Sequence, residues 1–270
     1  QVEGTTLVHT VTLSNASSSV TTFAYALGGG SATGGGTDYT TPPTFSNGVT
    51  LSGGVLSIPA GVTSFTISVP TTLDTIDEGA SETYDLSVGG VAALGTITDD
   101  DAAPTISSVS AASAVEATSL VHTVTLSNAS ATATTFSLSL TDGTATGGVD
   151  YTSDLTNAAF SNGVTISGGT ITVPAGVTSF SVTVPTSSDT IDEANETYTL
   201  AVGAASGTGT INDDDGAPTV SSVTAATQVE GTTLVHTVTL SNASSSVTTF
   251  AYAIGGGSAT GGGTDYTTPP

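Results

Sequence analysis

Residues 1–43 and 228–270 are the same sequence apart from one exchange of isomers, Leu27 against Ile254. A related stretch lies between them. Glu3, Glu116 and Glu230 each follow a valine, 113 and then 114 residues apart. His9, His122 and His236 keep the same spacing, each within Leu-Val-His-Thr-Val-Thr-Leu-Ser-Asn-Ala-Ser. Solenoid repeats recur every ~20–50 residues, so this longer period is that of whole domains, each with its own core. Two slightly different units alternate. The repeat divides the chain into 1–103, a unit lacking its first strand; 104–217, a complete unit; and 218–270, the front part of a third. On this reading the chain is a window on a longer array. Residues 218–270 are expected to be ordered only if something completes them, because front strands alone leave open sheet edges.

The complete unit reads as all-β. Leu120–Leu126 alternates, with Leu120, His122, Val124 and Leu126 on one face and Thr123 and Thr125 on the other. Around it the sequence predicts strands at Thr105–Ser110, Thr135–Leu140, Thr170–Val173, Ser179–Val184, Thr197–Val202 and Thr208–Ile211. Ala111–Thr118 reads as a connection carrying Glu116, and Phe160–Ile166 as a small hairpin arm. Seven short strands separated by Gly-, Pro- and Asn-rich turns argue for an antiparallel β-sandwich, here in tandem and end to end. Strands that reverse direction in turn bring alternate loops to one pole. All eleven carboxylates of this unit fall there: Glu116, Asp142, Asp150, Asp154, Asp189, Asp192, Glu193, Glu196 and Asp213–Asp215. The loops at the other pole hold none.

Composition decides what those carboxylates meet. The chain has no Lys and no Arg, 23 acidic residues and a formal charge of −23. Salt bridges to basic side chains are therefore excluded, as is any basic footprint for nucleic acid or anionic membrane. With no cysteine there is no disulfide and no thiolate metal site. No apolar run approaches the ~18 residues of a membrane span. Adjacent carboxylates such as Asp213–Asp215 and Asp99–Asp101 repel unless a cation sits among them. Oxygen donors without thiol or imidazole select a hard ion, calcium first and magnesium second. A solvated acidic surface is the alternative reading, and segregation at one pole speaks against it.

Several motifs together resemble the Calx-β family of sandwich domains. They are Val115-Glu116; Gly143-Thr144-Ala145-Thr146 leading to Asp150-Tyr151; Gly169-Thr170-Ile171-Thr172-Val173-Pro174-Ala175-Gly176; Asp192-Glu193-Ala194-Asn195-Glu196-Thr197-Tyr198; and the closing Thr210–Asp215. The resemblance covers nearly the whole unit. It implies Ca²⁺ ligands at Glu116, Asp150, Asp189, Asp192, Glu193, Glu196, Asp213, Asp214 and Asp215. In the first unit it implies Glu3, Asp38, Asp74, Asp77, Glu78, Glu82, Asp99, Asp100 and Asp101, and in the third Glu230 and Asp265. The array also looks like the extender regions of giant calcium-dependent bacterial surface adhesins. That likeness implies a secreted, non-catalytic stalk at the cell surface whose joints are stiffened by calcium. Its partners are neighbouring repeats and, in a fibre, other copies, with neither nucleic acid nor membrane insertion. A self-assembling extracellular filament or sheath, and a calcium-sensing regulatory module, are the other readings.

The remaining features point to structure. The three histidines occupy an inward strand position and are expected in the core. Tyr39, Tyr151 and Tyr266 each follow a loop aspartate and are expected to anchor that loop. Asn15, Asn128, Asn195 and Asn242 fit Asn-x-Ser/Thr, a short match common by chance in so Ser/Thr-rich a chain. Gly28–Gly30 and Gly34–Gly36 precede no helix and are not phosphate cradles.

Overall fold

The computed structural model describes residues 1–267. The first unit has nine strands: β1 (Thr6–Thr12), β2 (Thr21–Leu27), β3 (Thr44–Phe45), β4 (Thr50–Ser52), β5 (Val55–Ile58), β6 (Ser64–Pro70), β7 (Ile76–Asp77), β8 (Glu82–Val88) and β9 (Val91–Ile97). The second has twelve: β10 (Ile106–Val109), β11 (Ala112–Val115), β12 (Ser119–Leu126), β13 (Ala129–Ser130), β14 (Thr134–Asp142), β15 (Ala159–Phe160), β16 (Thr165–Ser167), β17 (Thr170–Val173), β18 (Ser179–Pro185), β19 (Ile191–Asp192), β20 (Glu196–Val202) and β21 (Ala205–Asn212). A 3-10 turn lies at Leu155–Asn157. β22 (Val220–Val223), β23 (Val238–Leu240) and β24 (Ala243–Ser244) follow.

In the second unit two sheets face each other, ordered β10-β12-β18-β15 and β11-β21-β20-β14-β17-β16. Alternation builds the core. Leu120, Val124, Phe180, Val182, Val184, Ile171, Tyr198, Leu200 and Val202 are at most 2% exposed, and their strand neighbours face out. Each such aliphatic or aromatic side chain contributes ~1.5–3 kcal/mol on leaving water. The first unit repeats the plan as β1-β6-β3 against β4-β5-β2-β8-β9, without counterparts of β10 and β11. Gly53-Gly54 and Gly168-Gly169, all at positive φ, close the β4–β5 and β16–β17 hairpins. Two-residue hairpin loops demand that backbone, which Gly adopts without strain.

Two expectations are corrected. Ala112–Val115 is a strand rather than part of a connection. The chain pairs antiparallel with β12 through β10, then crosses to the opposite sheet and runs parallel to β21. Phe160–Ile166 is no hairpin arm, since β15 pairs with β18 in one sheet and β16 with β17 in the other. Phe160 and Ile166 pack against the core on the way, which is why this stretch spans the sandwich. In residues 218–267 only the β22–β23 pair and β24 are regular, and Val235, Val247 and Tyr252 are exposed.

The histidine expectation holds where the sandwich is whole. His122 is fully buried, with Nδ1 2.8 Å from the Ser110 carbonyl and Nε2 2.9 Å from the Tyr198 hydroxyl. The carbonyl only accepts, so Nδ1 carries the hydrogen and Nε2 accepts from the tyrosine. Burial lowers the His122 pKa, which keeps the ring neutral. Tyr151 stacks on Tyr198 at 4.6 Å, and its hydroxyl donates to Asp142 at 2.5 Å. It anchors the acidic loop to the core as expected.

Successive units meet through backbone. β7 of the first unit pairs parallel with β13 of the second, Ile76 opposite Ala129 and Asp77 opposite Ser130. β19 pairs with β24 one unit on, Ile191 opposite Ala243 and Asp192 opposite Ser244. The Asp77 carbonyl accepts from Ser130 Oγ at 3.0 Å and Ala131 N–H at 2.8 Å. Asn128 Nδ2 donates to the Ala102 carbonyl at 2.9 Å, and Asn242 Nδ2 repeats this with Gly216 at 2.8 Å.

Candidate metal centre

The crossing of β11 decides where the first glutamate goes. Because β11 runs parallel to β21, both strands end at the same pole, and the Glu116 N–H donates to the Asn212 carbonyl at 3.1 Å. Glu116 is thereby set beside Asp213–Asp215. The β18–β19 loop closes on it, with Asp189 N–H directed at Glu116 Oε2 at 3.4 Å. Carboxylate oxygens of Glu116, Asp189 and Asp215 lie within 4.8 Å of one another. A second trio, Asp150, Glu193 and Glu196, satisfies the same limit. In the first unit the matching groups are Glu3, Asp74 and Asp101, and a second set formed by Glu3, Glu78 and Asp99.

Backbone amides hold some of these carboxylates in place. Asp213 accepts from Glu193 N–H at 3.2 Å, and Asp99 accepts from Gly79 N–H at 3.1 Å. Asp150 accepts from Thr146 N–H at 2.6 Å, and Asp265 from Thr260 N–H at 2.6 Å. Asp38 accepts from Thr33 N–H in the same way. Glu3 Oε2, Glu78 Oε2, Asp101 Oδ2 and Asp215 Oδ2 are shielded from solvent and accept from no backbone or hydroxyl donor among the described residues. Unpaired buried carboxylate oxygens are costly, and an all-oxygen setting of this kind fits a hard divalent cation.

The electrostatics agree. Burial, then the neighbouring carboxylates, push the pKa of Glu78 up to about 8 and of Glu82 and Glu196 up to about 7. Glu116, Glu193 and Asp215 are raised for the same reasons. Two charges 4.8 Å apart repel by about 1 kcal/mol in water and about 3–4 kcal/mol at an effective dielectric near 20. A cation between them reverses the sign of that term.

The remaining expected residues stand outside the four trios. Asp38 and Glu82 face each other beside the first unit's clusters, and after burial the Asp38 carboxylate helps raise the Glu82 pKa, as Asp150 does that of Glu196. Asp100 and Asp214 are exposed at the middle of each aspartate run. Asp77 and Asp192 belong to the joint, and Asp192 Oδ2 accepts from Ser244 Oγ at 2.8 Å. Glu230 and Asp265 are exposed and join no cluster among the described residues. Reasoning from sequence missed the joint partners Asn128, Ser130, Asn242 and Ser244. Their signal was available in the threefold Ser-Asn-Ala-Ser, at Ser14–Ser17, Ser127–Ser130 and Ser241–Ser244.

The Calx-beta domain model matches residues 2–94 and 99–229, most of the chain. The chain belongs to the Calx-beta family. The crystal structure of CBD12 from CALX1.2 shares 16% identity with it over 75% of each chain, with a TM-score of 0.29. The three-domain titin structure I67–I69 in an E-to-A mutated variant shares 8% identity, with a TM-score of 0.24 over 80% of this chain and 62% of that one. A search of curated proteins gave no match. In this Calx-beta chain the second matched segment contains both second-unit trios, and each first-unit trio joins two residues of the first segment to Asp99 or Asp101 at the start of the second.

Proposed function

We propose that this chain is a calcium-stiffened structural repeat, an extender or stalk segment of a large extracellular bacterial surface protein, without catalytic activity. The observation that carries the reading is the repeated clustering of carboxylate oxygens beside the short strand that docks the next unit. Glu78 adjoins β7 and Asp74 lies two residues before it, while Asp101 lies on the segment leading into the second unit. A cation held by Glu3, Asp74, Asp101, Glu78 and Asp99 ties the loop bearing β7 to the closing aspartates, and Glu116, Asp189 and Asp215 do the same one unit on. The cation supplies positive charge and no reaction step. Calcium suits loops drawn from several parts of a chain, since it accepts about six to eight oxygens at flexible geometry.

The test compares the chain in calcium, in magnesium and in chelator by calorimetry and small-angle scattering. Calcium is expected to raise the melting temperature and lengthen the particle, with magnesium less effective. Identical melting and scattering curves in calcium and chelator refute the reading.

A further inference from the structure

β10 is held by little. It is four residues long, and its ladder with β12 shifts register between Ile106 and Ser108. Ile106 and Val109, 9% and 7% exposed, are its apolar anchors, while Ser107 and Ser108 face out. Elements with so little buried surface are the ones that open first. Just past β10, the Ser110 amide donates to the Thr123 carbonyl at 2.8 Å, and the Ser110 carbonyl accepts from His122 Nδ1 at 2.8 Å. The chain then crosses to β11, which delivers Glu116 to the acidic pole. The stretch 104–112 therefore runs from the joint to the strand that places Glu116, and Ser110 fastens its far end.

The bonds at His122 suit only a neutral ring. Nε2 accepts from the Tyr198 hydroxyl at 2.9 Å, so a proton on Nε2 sets donor against donor. It also puts a positive charge in a fully buried site, which is costly without a counter-charge. Val182 stands opposite on β18, Ser110 lies at the end of β10, and Tyr198 projects from β20. The inward residues of β11 and β21, Ala112, Ala114, Gly209 and Ile211, are uncharged as well. The titratable groups on that side are Tyr198, Tyr151 stacked on it, and Asp142, whose carboxylate already accepts from the Tyr151 hydroxyl. Burial lowers the His122 pKa, the Ser110 carbonyl partly opposes this, and no carboxylate contributes. Each half of the arrangement recurs, at His9 with the Tyr84 hydroxyl (2.9 Å) and at His236 with the Thr224 carbonyl (2.7 Å).

We propose that His122 is an acid-operated latch on β10: the neutral ring holds Ser110, and a proton taken up once the strand has lifted keeps it open. In the open state the ring is wetted and titrates near the usual ~6.5. The closed ring resists the proton, so stability against opening is full above ~6.5 and is lost as pH falls below it. While the closed ring stays neutral, opening grows about tenfold per pH unit. The raised carboxylates Glu78, Glu82 and Glu196 act with the opposite sign. The latch uses no calcium, so it stands or falls apart from the proposed function.

The test is amide hydrogen exchange of the full chain in chelator between pH 7 and pH 5, corrected for the intrinsic rate, beside imidazole NMR over the same range. Protection of the Ser110 amide is expected to fall about tenfold from pH 6 to pH 5 relative to the core amides of β20. His122→Phe keeps an aromatic ring and every carboxylate, and in it that fall is expected to vanish. His236→Gln, at an exposed position, is expected to leave it intact. Ser110 protection that follows the core amides overturns the proposal, as does a fall that persists in His122→Phe. If that variant does not fold, the wild-type ring decides: a His122 that protonates at ~6.5 with Ser110 still protected refutes the latch.

Discussion

Glu116→Gln gives the calcium reading a test in which two effects have opposite signs. The substitution keeps the shape of the side chain and removes one charge from the trio with Asp189 and Asp215, whose oxygens lie within 4.8 Å. In chelator, wherever Glu116 carries its charge, it repels the neighbouring carboxylates, which after burial raise its pKa. Asp189 is exposed, so the screened surface value applies and its pair with Glu116 is worth about 0.5 kcal/mol. At roughly 4 °C per kcal/mol for a domain of this size, the variant is expected to melt about 2 °C above wild type in chelator. In calcium the order inverts. Wild type gains RT ln(1 + [Ca]/Kd), about 2.7 kcal/mol at a hundredfold excess over Kd, while the variant lacks a ligand and gains much less. Melting curves for both proteins in both buffers make the measurement. If the variant melts below wild type in chelator, or gains as much from calcium, the trio is not a cation site.

Proton linkage gives a second check. In chelator the folded chain holds protons on Glu78, Glu82 and Glu196 that the unfolded chain releases near 4.5. Stability is therefore fully present below about 4.5 and falls as pH rises towards about 8, and melting across that window is expected to show it. Saturating calcium displaces those protons and flattens the slope. Gly209→Ala is expected to destabilise the second unit by about 3 kcal/mol in chemical unfolding, because its Cβ falls 2.2 Å from Tyr198 Cζ in a fully buried ring pair. Ser130→Ala removes one of the two donors to the Asp77 carbonyl. A loss of about 1 kcal/mol confined to the joint is expected to speed Ala131 amide exchange roughly fivefold and leave core amides unchanged.

Period-two alternation made the core legible. Leu120, His122, Val124 and Leu126 are the buried face of β12, as the pattern alone predicts, because a strand with one dry side must alternate. The acidic pole was legible for a related reason, since strand reversal carries alternate loops to one end. Two things were not. β11 is short and mixes Ala and Ser with a single Val, so no pattern separates it from a loop, and its pairing with β21 depends on tertiary position. The joint was hidden because two-residue strands such as β7 and β13 carry no periodicity. Their bonds use the Asp77 carbonyl and the Ala131 N–H, groups present at every non-proline residue.

That same joint explains why the carboxylates are where they are. β7 has two residues, and three donors, the Ala131 N–H, Ser130 Oγ and Asn128 Nδ2, hold the next unit against it and the chain after it. Those bonds are strong only if β7 itself is held still, yet its flanks, Asp74 and Glu78, lie among like charges that push the loop apart. Repulsion on either side of a two-residue strand works directly against its docking, whereas repulsion elsewhere on the sandwich would not. On the proposed reading, neutralising those flanks locks the hydrogen bonds without any new contact between units. The loss on chelation is then expected first in the Ala131 and Ser245 amides, which donate to Asp77 and Asp192, before any loss in the amides of β18 or β20. Hydrogen exchange resolved by residue distinguishes the two. Simultaneous loss in joint and core would mean that calcium holds the sandwiches together rather than the joints between them.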